Sequence, residues 1–458
     1  MNAIIFSAIW GIVMMFSGIF VPQRGAARML ATIGAGILLV LNIAELNGHP
    51  LFHINVRDML VFSSFGLLFN CIAFAATFIY LLLSARDVEA VGVNVAEYFA
   101  LIFFVLCGVA IASSYNSLLM LFLAIEIISI PLYILTGSDK KNLKSNEASL
   151  KYFLMGSFST GIMLMGIALI YGATGSFGLD TMNAAPKGFA PLLTAGMLLL
   201  LIAMSFKVSA APFHFWTPDV YDGAPTVFTS FMATIVKAAI FIAFVHLFES
   251  SYGNALPQWK LVLAVIIAAT LFIGNITAVF QQSVKRMLAY SSIAQAGFML
   301  FALFGYNDYA KEGIILYAAA YSLATIGIFA ILIKMKDYTF DGFNGLAKQQ
   351  PLLAAANTVF LLSLAGIPLT AGFFAKYYML LAAVKNGSYL WLVIFAVLSA
   401  AVSVYYYFRV IQAMYFKDGD SQVSPVSPVF RAILVLLAVL VVLLGIFPQQ
   451  LVLSKLYF

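Results

Sequence analysis

The chain has 458 residues, of which 63% are hydrophobic and only 9% are charged, and its mean hydropathy is +1.03. This composition excludes a water-soluble globular protein and predicts a polytopic membrane protein surrounded by a lipid bilayer. The formal net charge of +6 indicates no nucleic-acid partner, because the lysines and arginines are scattered between apolar segments and form no dense patch.

Apolar runs long enough to cross the bilayer occur along the whole chain. A membrane helix needs about 20 residues. This criterion predicts an all-α polytopic fold of about 14 transmembrane helices in a single integral membrane domain, 1–458. The predicted helices cover residues 3–20, 27–46, 59–84, 97–114, 117–137, 150–173, 190–216, 225–249, 260–281, 286–305, 312–335, 352–385, 389–414 and 428–453.

The predicted helices form four groups in chain order. Residues 1–90 hold helices 1–3, residues 97–249 hold helices 4–8, residues 259–414 hold helices 9–13, and residues 428–453 form the C-terminal helix. We expect the two five-helix groups to be inverted repeats, because helix 7 and helix 12 occupy corresponding positions and both are interrupted.

The interruptions come from helix-breaking residues at membrane depth. Predicted helix 7 runs into SAAPFHFWTPDVYDGAP, and predicted helix 12 contains SLAGIPLTAGFFAKYYML. Broken helices are tolerated within a membrane only inside protein or beside water. In transporters built from inverted repeats, such a pair indicates an ion site. The breaking residues are Pro212, Pro218, Gly223 and Pro225 in the first stretch and Gly366, Pro368 and Gly372 in the second.

The distribution of basic residues predicts the orientation of the chain. No basic residue precedes the first apolar run, so we expect that run to remain as a helix and not to be cleaved as a signal peptide. Loops after odd-numbered helices carry most of the lysines and arginines and are therefore predicted to be cytoplasmic, with both termini on the periplasmic side. The opposite side holds Arg57, Lys187, Lys260, Lys311, Lys385 and Lys455.

Four ionisable residues lie deep inside apolar segments: Glu126, Lys207, Lys237 and Lys376. A charged side chain at the centre of a membrane helix costs roughly 2.5 to 3.5 kcal/mol. Three lysines cannot all be neutralised by one glutamate, so the surplus lysines are driven toward the neutral amine and can exchange protons. We predict that these four residues transfer protons, with Glu126 as the switch.

Other polar residues could bridge the gaps between the lysines, namely Ser209, Thr234 and His246. For His246, a hydrogen-bonded histidine near the membrane interface is the alternative to a relay role. For Glu126 and one lysine, the alternative is a static ion pair that only fixes helix packing. Both alternatives stay open at the level of sequence.

Metal and redox chemistry are not expected in this chain. Two cysteines, Cys71 and Cys107, and four dispersed histidines are too few for an iron–sulfur cluster and lack the spacing of a zinc site. We expect no catalytic, cofactor-binding or metal-binding residue.

Four stretches together resemble a known family. They are NEASLKYFLMGSFSTGIMLMGIALIYGATGS, FKVSAAPFHFWTPDVYDGAPT, VKRMLAYSSIAQAGFML and GIPLTAGFFAKYY. They resemble the antiporter-like membrane subunits of respiratory complex I, most closely the subunit N family, and the resemblance covers nearly the whole chain. The last three stretches are also similar to related subunits and to multi-subunit cation/proton antiporters.

The resemblance implies a role for each buried ionisable residue. It implies that Glu126 pairs with Lys207, that Lys237 continues the path, and that Lys376 connects it to the outside. Residues 97–249 and 259–414 would be the two antiporter-like repeats.

The resemblance also implies a setting and a function. The chain would be a proton-translocating subunit of NADH:quinone oxidoreductase in a bacterial inner membrane, beside other membrane-arm subunits. FMN, iron–sulfur clusters, NADH and quinone would act elsewhere in the complex. A second interpretation is a subunit of a cation/proton antiporter without a redox partner. A third is a scaffold whose buried charges only hold helices together.

Overall fold

The computed structural model describes residues 1–20, 23–181, 190–251, 256–385, 387 and 389–456. This part of the chain is almost entirely helical, with only isolated β-bridges such as Leu60 with Tyr115. Lys187, predicted in a periplasmic loop, lies outside the described residues. The α-helices are α1 (Asn2–Phe20), α2 (Arg24–Leu46), α3 (Ser64–Val91), α4 (Val95–Ala112), α5 (Leu118–Thr136), α6 (Leu143–Thr174), α7 (Ala190–Lys207), α8 (Trp216–Gly223), α9 (Thr226–Phe231), α10 (Lys237–Ser251), α11 (Leu256–Val279), α12 (Val284–Met299), α13 (Phe301–Phe304), α14 (Asp308–Lys334), α15 (Leu346–Gln349), α16 (Pro351–Ala365), α17 (Ala371–Lys385), α18 (Leu390–Phe416), α19 (Pro428–Ile446) and α20 (Pro448–Leu451).

The helices confirm the all-α polytopic fold. Within the described residues, twelve helical segments are long and apolar enough to cross a membrane. The two predicted segments that are not among them are 190–216 and 352–385, the two with helix breakers. The total of about 14 transmembrane helices and the inverted repeat stay predictions.

Both predicted interruptions are present. Helix α7 ends at Lys207, and α8 begins only at Trp216. Helix α16 ends at Ala365, where Gly366 adopts a left-handed conformation with φ of +84° that favours glycine. Helix α17 then begins at Ala371. Each break leaves backbone carbonyls at the end of a helix inside the membrane protein, where they need hydrogen-bond donors.

Other predicted segments also have different bounds. The one predicted over 59–84 runs from Ser64 to Val91, and the Ser63 side chain caps its start by accepting from the backbone N–H of Gly66. The segment predicted over 150–173 begins earlier, at Leu143, because the Asn142 side chain accepts a hydrogen bond from the backbone N–H of Lys144 and caps α6. The segment predicted over 428–453 is divided into α19 and α20, since Pro448 has no backbone N–H and starts a new helix.

The innermost segments are Thr226–Glu249, Val284–Phe304 and Asp308–Lys334, whose side chains are buried on nearly every face. An apolar helix buried all round belongs to the interior of a helical assembly. Helix α1, in contrast, exposes large apolar side chains such as Phe20. Helices α12 and α14 both contact α17, which carries Lys376, and α14 also contacts α10, which begins at Lys237.

The segment that contains Lys237 is not a uniform α-helix. Between α9 and α10, residues Met232–Val236 form a π-helical turn, and Lys237 follows it directly. Short π-helical turns inside longer helices often mark functional positions. Here the wide turn immediately precedes the one lysine of this segment.

Candidate functional site

Lys207 contacts hydroxyl groups of two neighbouring helices. Its Nζ donates to Ser129 Oγ on α5 at 3.2 Å and to Thr160 Oγ1 on α6 at 3.3 Å. Thr160 Oγ1 in turn donates to Oε1 of Glu126 at 2.8 Å. The structure therefore joins the predicted partners Glu126 and Lys207 through the threonine hydroxyl, and in the described part of the chain they make no direct ion pair.

The Thr160 hydroxyl has a second acceptor. Its oxygen lies 3.0 Å from the backbone carbonyl of Gly156, one turn earlier on α6. A hydroxyl has one proton to donate and can accept hydrogen bonds at the same time. Thr160 can thus accept from Lys207 while it donates either to Glu126 or to Gly156.

Lys237 is buried, with 3% of its surface exposed. Its Nζ donates to the backbone carbonyl of Ser292 at 2.8 Å and to Ser292 Oγ at 3.0 Å, both on α12. The ring of Tyr221 lies 6.0 Å away. Among the described residues no carboxylate forms an ion pair with Lys237, so neutral oxygen atoms alone solvate its nitrogen.

Lys376 is buried too, with 7% of its surface exposed, and contacts the broken helix. Its Nζ donates to the carbonyls of Leu364 at 2.8 Å and Ala365 at 3.0 Å. These are the last two residues of α16, whose terminal carbonyls have no partner within the helix and carry partial negative charge. Phe298 presents its ring 4.8 Å from the same nitrogen. Lys376, on the second half of the broken helix, therefore caps the first half.

A polar network on α12 extends from the Lys376 site. Gln295 Nε2 donates to the Leu364 carbonyl at 3.0 Å and to Tyr407 Oη at 3.1 Å, and Tyr317 Oη donates to Gln295 Oε1. Ser291 Oγ lies 2.5 Å from the same Tyr407 hydroxyl. All four side chains of the network are thereby hydrogen-bonded in the protein interior.

Helix α12 links the two buried lysines. Ser292 bonds Lys237, and Gln295, about one turn further along, shares the Leu364 carbonyl with Lys376. A small cavity bordered by Gln295 and Lys376 has room for about one water molecule. Its wall also includes the polar side chains of Tyr317, Tyr321 and Ser363.

The hydroxyls of two predicted bridging residues are hydrogen-bonded to groups other than the lysines. Ser209 Oγ accepts from Thr217 Oγ1 at 2.6 Å, in the connection after α7. Thr234 Oγ1 donates to the Ser230 carbonyl of its own segment at 2.6 Å. Neither hydroxyl contacts Lys207 or Lys237.

His246 lies near the end of α10 and is partly buried. Its Nε2 is 2.8 Å from the backbone carbonyl of Tyr115, which fixes Nε2 as the protonated nitrogen, and its ring packs edge-on against Tyr115. Nδ1 lies 3.9 Å from Glu249, which also pairs with Lys311 at 2.8 Å. The structure thus places His246 in a separate polar group at that end of the helix.

The residues that contact the lysines were not predicted from sequence. They are hydroxyl and amide side chains that look unremarkable inside apolar segments. The stretch AYSSIAQAGF carries a visible signal, since Ser291, Ser292 and Gln295 lie within about one helical turn of each other. For Thr160 and Ser129 the only signal is a polar residue in a membrane helix.

A charged cluster fastens the connection after α7 to α12. Asp219 on α8 accepts from Lys151 at 2.9 Å and from Arg286 at 3.0 Å. Burial raises the pKa of Asp219, but the hydrogen bonds from Lys151 and Arg286 outweigh this effect and hold the pKa below its usual range. Lys285 Nζ donates to the carbonyls of Asp222 and Ala224. Lys285 and Arg286 therefore bind the segment that follows α7, in addition to any effect that their charges have on the orientation of the chain in the membrane.

In the described part of the chain, no group of three histidine, cysteine or acidic side chains could hold a metal ion.

The chain is similar to a known family and to curated proteins. The transmembrane family described as NADH:quinone oxidoreductase/Mrp antiporter matches residues 115–403. The chain is 41% identical to NADH-quinone oxidoreductase subunit N of Cytophaga hutchinsonii, with 98% of each chain covered. It is 37% identical to subunit N of Flavobacterium psychrophilum, with 98% of this chain and 99% of that one covered.

The fold is similar to that of chains in two solved complexes. A chain of respiratory complex I from Thermus thermophilus with bound aureothin superposes with a TM-score of 0.86 at 32% identity, covering 99% of both chains. A chain of the Mrp complex from Dietzia sp. superposes with a TM-score of 0.84, covering 99% of this chain and 95% of that one. That second match has 19% identity and shows a shared fold alone.

Proposed function

The chain belongs to the subunit N family of NADH-quinone oxidoreductase, and we propose that it carries protons through the membrane arm of a bacterial respiratory complex I. The four residues we assign to proton transfer are Glu126, Lys207, Lys237 and Lys376. Other membrane-arm subunits of the complex are its partners.

One observation carries the proposal: within the part of the chain that the structure describes, each of the three lysine nitrogens is hydrogen-bonded only to neutral oxygen atoms. The acceptors are hydroxyls at Lys207, a hydroxyl and a carbonyl at Lys237, and two carbonyls at Lys376. A static ion pair would place a carboxylate against the ammonium, as Asp87 does for Lys334. Without that direct neutralisation, the charged and neutral forms are closer in free energy, so the proton can leave.

Glu126 acts as the switch through Thr160. When Glu126 is ionised, Thr160 donates to it and presents its oxygen to Lys207, which favours the ammonium. When Glu126 gains a proton or moves, Thr160 turns to the Gly156 carbonyl and Lys207 loses the field of the carboxylate. Glu126 and Lys207 are both partly exposed at the surface of the chain, so a neighbouring subunit can act on this pair.

Passage from Lys207 to Lys237 requires water. The hydroxyls of Ser205 on α7 and Ser230 on α9 are buried without a hydrogen-bond partner in the described part of the chain. Buried polar groups of this kind are usually satisfied by ordered water. They lie two residues before Lys207 and seven before Lys237 along their respective segments, which supports a hydrated route between the two lysines.

From Lys237 the route continues along α12. Ser292 accepts a hydrogen bond from Lys237, and Gln295 borders the small cavity beside Lys376. Lys376 is the last lysine of the series and delivers the proton toward the periplasm. Ser209 and Thr234 remain secondary candidates, because their hydroxyls bond elsewhere, and His246 belongs to the polar group near Glu249.

The redox chemistry takes place elsewhere in the complex. FMN, the iron–sulfur clusters, NADH and quinone are assigned to other subunits, and quinone reduction there drives the charge movement here. We place the chain in the bacterial inner membrane with both termini on the periplasmic side, since loops after odd-numbered helices hold most of the basic residues.

Replacement of Lys237 by methionine tests the proposal. Methionine keeps length and apolar bulk but has no proton to exchange. We expect the complex with Lys237→Met to assemble, while NADH-driven proton uptake into sealed vesicles and coupled turnover both fall by about 100-fold, the scale of a lost acid–base group.

The matched control is Lys260→Met, which removes a lysine near the start of α11, outside the proposed route. Its proton uptake should equal that of the unchanged complex. Normal uptake in Lys237→Met would contradict the proposal, and purification of the chain in an assembly without flavin would favour the cation/proton antiporter instead.

A further inference from the structure

A wide cleft opens at the end of the molecule that carries most basic residues. It has a volume of about 650 Å³ and lies between the start of α2, the end of α3, the end of α14 and the segment that leads into α19. These three helix ends and the connecting segment all lie on the predicted cytoplasmic side. The cleft therefore sits at the depth where lipid headgroups meet the hydrocarbon.

The basic residues of the cleft differ in whether an acidic side chain neutralises them. Lys334 is neutralised by Asp87, whose two carboxylate oxygens lie 2.6 and 2.8 Å from its Nζ. Arg28 pairs with Glu89 at 3.0 Å. Arg86 also lines the cleft and is exposed, and within the described residues its guanidinium has no hydrogen-bond or ion-pair partner. One arginine of the cleft is thus free to bind an anion.

The cleft also has apolar lining residues that are exposed. Leu82 on α3 is 42% exposed and Val429 on α19 is 67% exposed, and both line the cavity. The ring of Phe430 packs beneath the Lys334 ammonium at 5.4 Å and closes the floor. An occupant must therefore combine a negative group for Arg86 with a hydrocarbon chain for Leu82 and Val429.

We propose that this cleft binds an anionic phospholipid, with its phosphate on Arg86 and an acyl chain between Leu82 and Val429. Basic pockets between membrane helices on the cytoplasmic side suit such headgroups. An arginine fork also matches two phosphate oxygens at once. A free phosphate ion would use only the arginine and would leave the apolar walls uncovered.

Photocrosslinking in the assembled complex tests the site. The complex is reconstituted into nanodiscs that contain a phosphatidylglycerol analogue with a photoreactive acyl chain, and crosslinked peptides are identified by mass spectrometry. We expect adducts in the peptides around Leu82 and Val429. We expect fewer of them with the matching phosphatidylcholine analogue, which has no net charge.

The variants distinguish the headgroup contact from general exposure to lipid. Arg86→Gln should lower the yield of cleft adducts by about fivefold, the effect of about one basic charge near an anionic lipid. Arg86→Lys keeps the charge and should lose less. The control Arg431→Gln removes an exposed arginine of the same side that does not line the cleft, and its yield should stay unchanged.

Three results would overturn the proposal. The first is an equal yield in Arg86→Gln and Arg431→Gln, and the second is an absence of cleft adducts because a neighbouring subunit covers the opening. The third is equal competition by inorganic phosphate, which would make the site an ion site. None of these readouts depends on proton transfer, so the lipid site and the proposed function fail independently.

Discussion

The two broken helices present their lysines in different ways. At the first break, Lys207 is the last residue of α7 and reaches across to hydroxyls of α5 and α6, with Glu126 one hydroxyl further away. At the second break, Lys376 lies on α17 and bonds the backbone carbonyls at the end of α16. The first lysine therefore senses a titratable group, whereas the second is held by fixed backbone dipoles.

If the chain carries protons as proposed, this difference favours control at the first break and delivery at the second. A carboxylate can be protonated or displaced, so the environment of Lys207 has two states. Helix-end carbonyls carry a partial charge that no proton removes. Gating should therefore depend on Glu126 and Thr160, and substitutions around Lys376 should change the final step without affecting the switch.

The largest effect is expected for loss of either lysine. Lys207→Met and Lys376→Met should each lower NADH-driven proton uptake by about 100-fold, since each removes a group that must exchange a proton. Proton uptake into vesicles measures the effect, and a native gel checks that the complex assembles. Loss of assembly in either variant would instead assign that lysine a packing role.

A smaller effect is expected for the switch itself. Glu126→Gln keeps the shape but removes the charge, and we expect about a tenfold fall in coupled turnover. Glu126→Asp keeps a carboxylate and should be milder. The decisive comparison is the double variant: Glu126→Gln should add little to Lys207→Met, and it should keep its own effect when combined with a partly active Lys376→Arg. If Glu126→Gln lowered coupled turnover by the same factor in both lysine variants, the two breaks would not differ in their dependence on Glu126.

Loss of the bridging hydroxyl comes next. Thr160→Val is isosteric but neither donates nor accepts, and we expect about a threefold to tenfold lower rate of coupled turnover, which corresponds to the loss of one ordinary hydrogen bond. Thr160→Ser retains the hydroxyl and serves as the control. A valine variant as active as the serine variant would show that Glu126 acts on Lys207 without Thr160.

Around the second break the expected effect is on stability. Gln295→Leu leaves the Tyr317 hydroxyl without its acceptor and the Leu364 carbonyl with Lys376 as its remaining side-chain donor. This should destabilise the segment by about 1 to 3 kcal/mol, seen as a lower unfolding temperature of the purified complex. The dependence of turnover on Glu126 should stay normal, and a changed dependence would connect the two regions directly.

The smallest effect, on the unfolding temperature, is expected at the charged cluster of Asp219, Lys151 and Arg286, which fastens the segment after the first break. Asp219→Asn removes the carboxylate that Lys151 and Arg286 share. Because the pKa of Asp219 lies below its usual range, its contribution in the unchanged protein is present at neutral pH and is lost as pH falls through that lowered pKa. Asp219→Asn should therefore shift the unfolding temperature slightly near neutral pH and not at all in strong acid.

Several features of the molecule could be predicted from the sequence. The apolar segments, both helix breaks and the four deep ionisable residues are properties of short stretches, so hydropathy and the positions of proline and glycine suffice to find them. The bounds of α6 and the division after Ile446 were missed, because capping by Asn142 and the stop before Pro448 are details of single residues.

The partners of the lysines could not be predicted. A soluble helix reveals its buried face by the spacing of its apolar residues, but helices such as α12 and α14 are buried on nearly every face. Their sequence therefore does not say which residue faces which neighbour. The predicted bridges Ser209 and Thr234 were chosen by closeness along the chain, whereas Thr160 and Ser292 reach the lysines across helix interfaces.

The sequence by itself determined that this is an all-helical membrane protein with two interrupted helices and a set of buried lysines in excess of acidic partners. It did so because the apolar segments, the helix-breaking residues and the charges at membrane depth are each visible in short stretches of the chain. Only the tertiary structure decided that Thr160 stands between Glu126 and Lys207, that α12 links Lys237 to Lys376, and that backbone carbonyls receive Lys376. Those contacts depend on how the helices are rotated and packed against each other, which residues far apart in the chain decide together.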